Sequence, residues 1–104
     1  MVVVVDVEWT AHVGAPHGHA HIATPGLNRA LQELRAERPG PSRERRRLNL
    51  LYGTQVETRP PRFRIFVNDP GLMTRDYGYW VENRLRERFD LAGVPVVIDF
   101  VRRA

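Results

Sequence analysis

The side chains that could do chemistry are unevenly distributed. The stretch "RPGPSRERRR", residues 38–47, concentrates Arg43, Arg45, Arg46 and Arg47 against Glu44. Further along, Arg62 and Arg64 alternate with Phe63 and Ile65 in "PPRFRIFVNDP". Guanidinium groups gathered in this way suit phosphate, which they grip bidentately without needing sequence information. A charge run on its own more often solvates a surface, and Arg84, Arg86 and Arg88 have Glu82 and Glu87 beside them as ordinary helix-face partners. Phe66 lies on the strand face that carries Arg62 and Arg64. It reads equally as a platform for a base or as an apolar contact for another domain.

Other chemistries are poorly supplied. The chain has no cysteine and its 16 basic residues are all arginine, so neither thiolate nor Schiff-base catalysis is available. A P-loop needs a lysine, which excludes that mode of nucleotide binding. Ser42 is an isolated loop serine. Asp69 and Asp76 read as punctuation, the first in a turn before proline and the second at a helix start, where the dipole favours negative charge. His17, His19 and His21, with His12 nearby, are the one metal-like cluster, since alternate imidazoles on a strand would share a face. Their neighbours are glycine, alanine and proline, and a solvated loop is the default reading.

The elements that must position these residues are legible. A chain of 104 residues with 42% hydrophobic and 27% charged residues and a net charge of +4 is one small globular domain. The longest apolar run is Val2–Val5, too short for a membrane span or a signal-peptide core, which leaves a cytoplasmic location as the expectation. "VVVVDVEW" favours a strand. "TPGLNRALQELRAERP" reads as a helix, with Thr24 as cap, Pro25 in the first turn, a stripe of Leu27, Ala30, Leu31 and Leu34, and Pro39-Gly40-Pro41 as the stop. A strand follows, with Leu48, Leu50, Tyr52, Thr54 and Val56 expected on one apolar face. A short link, residues 58–61, leads to the antiparallel strand of Phe63, Ile65 and Val67. Residues 75–89 form a second helix whose stripe is Tyr77, Trp80, Val81, Leu85 and Phe89. Gly93 follows it, and "VPVVIDFVRR" is the last strand, with Val94, Val96, Ile98 and Phe100 inward. The fold class is α+β: helix, strand, strand, helix, strand, with two helices on one face of a three-stranded sheet.

Several linked segments, in order, resemble the C-terminal KH-like domain of the Der (EngA) family of bacterial tandem GTPases. They are Tyr52-Gly53-Thr54-Gln55, Pro60-Pro61-Arg62-Phe63, Phe66-Val67-Asn68, Glu82-Asn83-Arg84-Leu85-Arg86-Glu87-Arg88-Phe89 and Gly93-Val94-Pro95, with "IATPGLNRAL" matching the start of the family's first helix. The resemblance covers residues 22–103 and implies a KH-like αββαβ module at 22–104, preceded by a poorly matched segment or linker at 1–21. In that segment "VEWTAH" is similar to the helical link out of the second G domain, and "VGAPHGHA" looks like an insertion. The chain departs from the pattern at Asn49, where a lysine is common. It departs again at Tyr77-Gly78-Tyr79-Trp80-Val81, where an arginine is lost.

The family implies a protein acting in assembly of the large ribosomal subunit. Its KH-like module contacts ribosomal RNA and the GTPase domains of the same protein, away from any membrane. GTP and Mg2+ belong to the absent G domains, so this chain is expected to hold no cofactor and to be no enzyme itself. It reads as an excised domain or a stand-alone relative. No two of its glycines are three residues apart, so the G-x-x-G clamp of a KH domain is missing, as the resemblance implies for the family. RNA would then meet charge and surface shape, at Arg43, Arg45, Arg46, Arg47, Arg62 and Arg64. Phe66 and Asn68 are candidates for stacking or domain docking. The rival readings are a docking module without RNA binding and a small His-rich metal-binding protein.

Overall fold

A computed structural model describes residues 3–6 and 22–103. In chain order the elements are β1 (Val3–Asp6), α1 (Thr24–Glu37), β2 (Ser42–Arg43), β3 (Arg46–Arg47), β4 (Leu50–Thr58), β5 (Pro61–Val67), a 3-10 turn (Pro70–Leu72), α2 (Arg75–Arg88) and β6 (Val97–Arg102). The expected helix–strand–strand–helix–strand frame is present. β4 and β5 pair antiparallel, and β6 lies parallel to β5. β1 adds an antiparallel strand beside β6, so the order is β1-β6-β5-β4, and β2 and β3 form a separate small ladder.

One layer of core joins the helices to the sheet. The α1 stripe of Leu27, Ala30, Leu31 and Leu34 is buried as its spacing requires, and so are Phe63, Ile65 and Val67 of β5 and Ile98 and Phe100 of β6. On α2, Tyr77, Val81 and Leu85 are buried, whereas Trp80 and Phe89 only pack against the margin of the core. Glu82, expected on the solvent side, is buried, and its Oε2 accepts from Arg86 Nη2 at 3.0 Å.

The helix ends differ in detail from the sequence reading. The cap position of α1 is Ala23, and Thr24 already belongs to the helix. Thr74 caps α2, accepting from Tyr77 N–H at 3.1 Å. Asp90, at φ 55°, closes α2, with Leu91 N–H donating back to Arg86 O at 2.8 Å. That 6→1 bond is the usual glycine-type ending, here made by aspartate ahead of Gly93.

β4 breaks the simple alternation. Leu50 pairs with Val67 but Tyr52 with Phe66, and Gln55 pairs with Phe63 but Glu57 with Arg62, so Leu51 and Val56 are extra residues at two irregularities. The inward face therefore passes from Leu50 to Gly53 and Gln55. Tyr52 and Val56, expected inside, are 43% and 39% exposed. Gly53 is where α1 comes closest: a Cβ there would stand 3.1 Å from Leu31 Cδ1 and 3.2 Å from Arg64 O. Asn28 then serves both backbone groups of Gly53, accepting from its N–H at 2.8 Å and donating to its carbonyl at 3.2 Å. Arg35 donates to Leu50 O at 2.7 Å, and Ile22 N–H donates to Gln55 Oε1 at 2.7 Å. Asn28 and Arg35 thus cover backbone groups of a sheet edge that would otherwise offer open pairing sites.

Candidate nucleic-acid interface

The stretch read as a basic loop is a hairpin. Gly40 pins its base, because a Cβ there would fall 2.3 Å from Leu48 O. Leu48 N–H donates to Pro41 O at 2.9 Å, and Arg47 Nη1 donates to Gly40 O at 2.8 Å. Ser42 faces Arg47 and Arg43 faces Arg46, which leaves Glu44 and Arg45 as a two-residue turn. Both turn residues have positive φ, 53° and 67°, as the mirror-image turns of tight hairpins demand. Asparagine and glycine are the usual occupants, and a side chain there costs about 1–2 kcal/mol per residue. Every residue of the hairpin is exposed.

The hairpin is anchored through Asp69. Asp69 is only 7% exposed. Its Oδ1 accepts from Gly71 N–H at 2.9 Å and from Arg102 Nη2 at 3.2 Å, and its Oδ2 accepts from Arg46 Nη2. Its pKa lies below the ordinary carboxylate value. The Gly71 N–H is the largest cause, and the two guanidinium groups add to it against the opposing effect of burial. Asn68 provides a second brace: its Oδ1 accepts from Asn49 N–H at 2.8 Å and its Nδ2 donates to Arg47 O at 2.9 Å. Its amide thus ties β3 to the end of β5.

The six candidate arginines divide on these contacts. Arg46 holds Asp69, Arg47 holds Gly40 O, and Arg62 grips Asp99 with Nε at 2.8 Å and Nη2 at 3.2 Å. Arg43, Arg45 and Arg64 have no side-chain partner among the described residues and are exposed. Hairpin and sheet therefore supply both anchored guanidinium groups and free ones. Phe66 is half-buried on the outer sheet face and stacks on Tyr52, with ring centroids 4.7 Å apart and planes at 22°. Simple alternation places Tyr52 in the core, so the sequence does not mark it as a site residue. The sequence reads Asp69 only as a turn residue, and nothing in its sequence neighbourhood marks Arg46 and Arg102 as its partners.

Between the helices the charges are structural. Arg84 bridges Glu37, Arg88 bridges Glu33, and Arg38 pairs with Asp76 at 2.6 Å. Arg38 also lies over the rings of Tyr77 and Trp80, at 5.6 and 5.4 Å from their centroids. His17, His19 and His21 fall outside the described residues. Within those residues no group of three His, Cys, Asp or Glu side chains is placed to hold a metal ion, and no helix is long and apolar enough to cross a membrane.

Residues 21–101 match the family model described as the KH-domain-like, C-terminal domain of EngA bacterial GTPase enzymes. Among curated proteins, the chain is 49% identical over 82 residues to a GTPase Der of Desulforudis audaxviator, covering 79% of this chain and 19% of that protein. It is 46% identical over 80 residues to a GTPase Der of Limosilactobacillus fermentum, covering 77% and 18%. The chain thus spans about a fifth of the length of the curated relatives it matches.

Proposed function

This chain belongs to the family of KH-domain-like C-terminal domains of EngA bacterial GTPases, and on that premise we propose that it serves a Der-type GTPase as the module that meets ribosomal RNA. It does so in the cytoplasm, beside the GTP-binding domains, during assembly of the large ribosomal subunit. GTP and Mg2+ are handled by those other domains.

The observation that carries the reading is Arg45. With Glu44 it holds a left-handed turn position where glycine is the low-strain choice, and backbone strain of this kind gathers at functional sites. Arg43 stands beside it, equally free, on a hairpin fixed at its base by Gly40 and along its length by Asp69 and Asn68. Without a G-x-x-G loop to clamp a strand, affinity comes from phosphate contacts, which position RNA and do not read its bases. The test is binding of a labelled large-subunit ribosomal RNA fragment to the chain and to the Arg43→Gln/Arg45→Gln variant. The expected loss is roughly tenfold near physiological salt, shared by unrelated RNA sequences. Equal affinity for both proteins overturns the reading.

A further inference from the structure

The helices cover one face of the sheet and leave the other uncovered by either of them. By strand alternation the uncovered face carries Arg62, Arg64 and Phe66 on β5, flanked by Tyr52 and Thr54 on β4 and by Asp99 and Val101 on β6. The register sets Phe66 between Tyr52 and Val101 in one row, and Arg64 between Thr54 and Asp99 in the next. Arg103 follows Val101 by two residues, with its N–H bonded to Val67 O at 3.1 Å, so it leaves the strand on the same side. A 43%-exposed tyrosine stacked on a half-buried phenylalanine therefore shares its sheet face with two arginines, one row to either side, that have no side-chain partner among the described residues.

We propose that this face is a second RNA contact, which stacks an unpaired base of a single strand on the Tyr52–Phe66 pair while Arg64 and Arg103 meet the flanking phosphates. The inference rests on the RNA reading above and deepens it by naming single-stranded RNA as the class bound here. Three features favour this occupant over a protein surface. The apolar row of Tyr52, Phe66 and Val101 is short, and the row beside it is the polar Thr54, Arg64 and Asp99, so it is no broad apolar patch of the kind that marks a protein interface. The unpaired charges beside it are cations, complementary to a phosphate backbone. Arg64 and Phe66 are two strand residues apart, ~7 Å, close enough for one nucleotide to give its base to the ring and its phosphate to the guanidinium. The hairpin adjoins this end of the sheet, since Asn68, next after β5, bonds to Arg47 O and Asn49 N–H. One strand can then pass from the stacking pair to Arg43 and Arg45.

The experiment compares a labelled twelve-nucleotide single-stranded RNA with an RNA duplex of the same length. The proteins are the whole chain and its Tyr52→Ala, Tyr52→Phe and Arg43→Gln/Arg45→Gln variants, each checked by circular dichroism. Tyr52→Ala is expected to weaken single-strand binding about tenfold, with duplex affinity unchanged and Tyr52→Phe restoring the wild-type value. The hairpin variant is expected to weaken both RNAs. If the wild-type chain binds RNA and Tyr52→Ala binds the single strand equally well, stacking is overturned and the RNA reading stands. If the wild-type chain binds neither RNA, both are overturned. If Tyr52→Ala impairs only association with separately purified GTP-binding domains of a Der-type protein, the face is a protein dock and the proposal is wrong.

Discussion

A single carboxylate, Asp69, accepts hydrogen bonds from Gly71 N–H, Arg46 and Arg102, and so joins the hairpin to the ends of two strands. Because its pKa is lowered in the fold, its contribution to stability is complete above the unfolded value of ~3.9 and disappears as pH falls through the lower folded value. Asp69→Asn is therefore expected to melt below the wild type at pH 7, with the gap narrowing as pH falls through the acid range. Parallel curves of melting temperature against pH would show that Asp69 is not the responsible group. Arg45 sets stability against function in the opposite sense. Arg45→Gly relieves a positive φ, at the expense of extra freedom in the unfolded chain. The change in stability is expected to run from neutral to about 1 kcal/mol of gain, while RNA affinity falls. A variant that is clearly destabilised, or that binds RNA as tightly as the wild type, contradicts the role given to Arg45. Asp69's role is hidden in the sequence because it depends on distant partners, whereas Arg45 is among the arginines the sequence singles out and only its positive φ is not legible there.

At the level of elements, what the sequence reveals follows burial periodicity. Leu27, Ala30, Leu31 and Leu34 repeat at helical spacing against one apolar layer, and Phe63, Ile65 and Val67 alternate against the same layer, so both patterns survive folding unchanged. β4 does not, because α1 approaches too closely at Gly53 for a side chain, and the irregularity at Leu51 brings the glycine to that point. An alternation count cannot see such an inserted residue, and it consequently misplaces Tyr52 and conceals the aromatic pair. Two-residue strands such as β2 and β3 are too short to show any period. The second helix gives a quantitative check. Trp80 lies at the margin, stacked on Tyr77 at 5.5 Å between centroids and covered by Arg38 and Arg84. Trp80→Ala is accordingly expected to cost about 1–3 kcal/mol in chemical denaturation, below the ~3–5 kcal/mol typical of a fully buried aromatic. A loss at the upper figure would place its ring in the core.

At the scale of the whole molecule, the chain is a small α+β module with one face of its sheet committed to the core and a braced basic hairpin at one end. It contains no lysine, so neither a P-loop nor the lysine-containing guanine-reading motif can be assembled from it. Titration with labelled GTP is expected to show no micromolar binding, and such binding would refute the division of labour between this module and the GTP-binding domains. The most direct test of RNA contact is the slope of log affinity against log salt for a ribosomal RNA fragment, with the wild-type chain and with Arg43→Gln/Arg45→Gln. Each lost phosphate contact removes roughly 0.7–0.9 from the slope, so the double variant is expected to be shallower by roughly 1.4–1.8 with its circular dichroism unchanged. An identical slope in a folded variant would contradict the claim that the hairpin arginines hold the RNA.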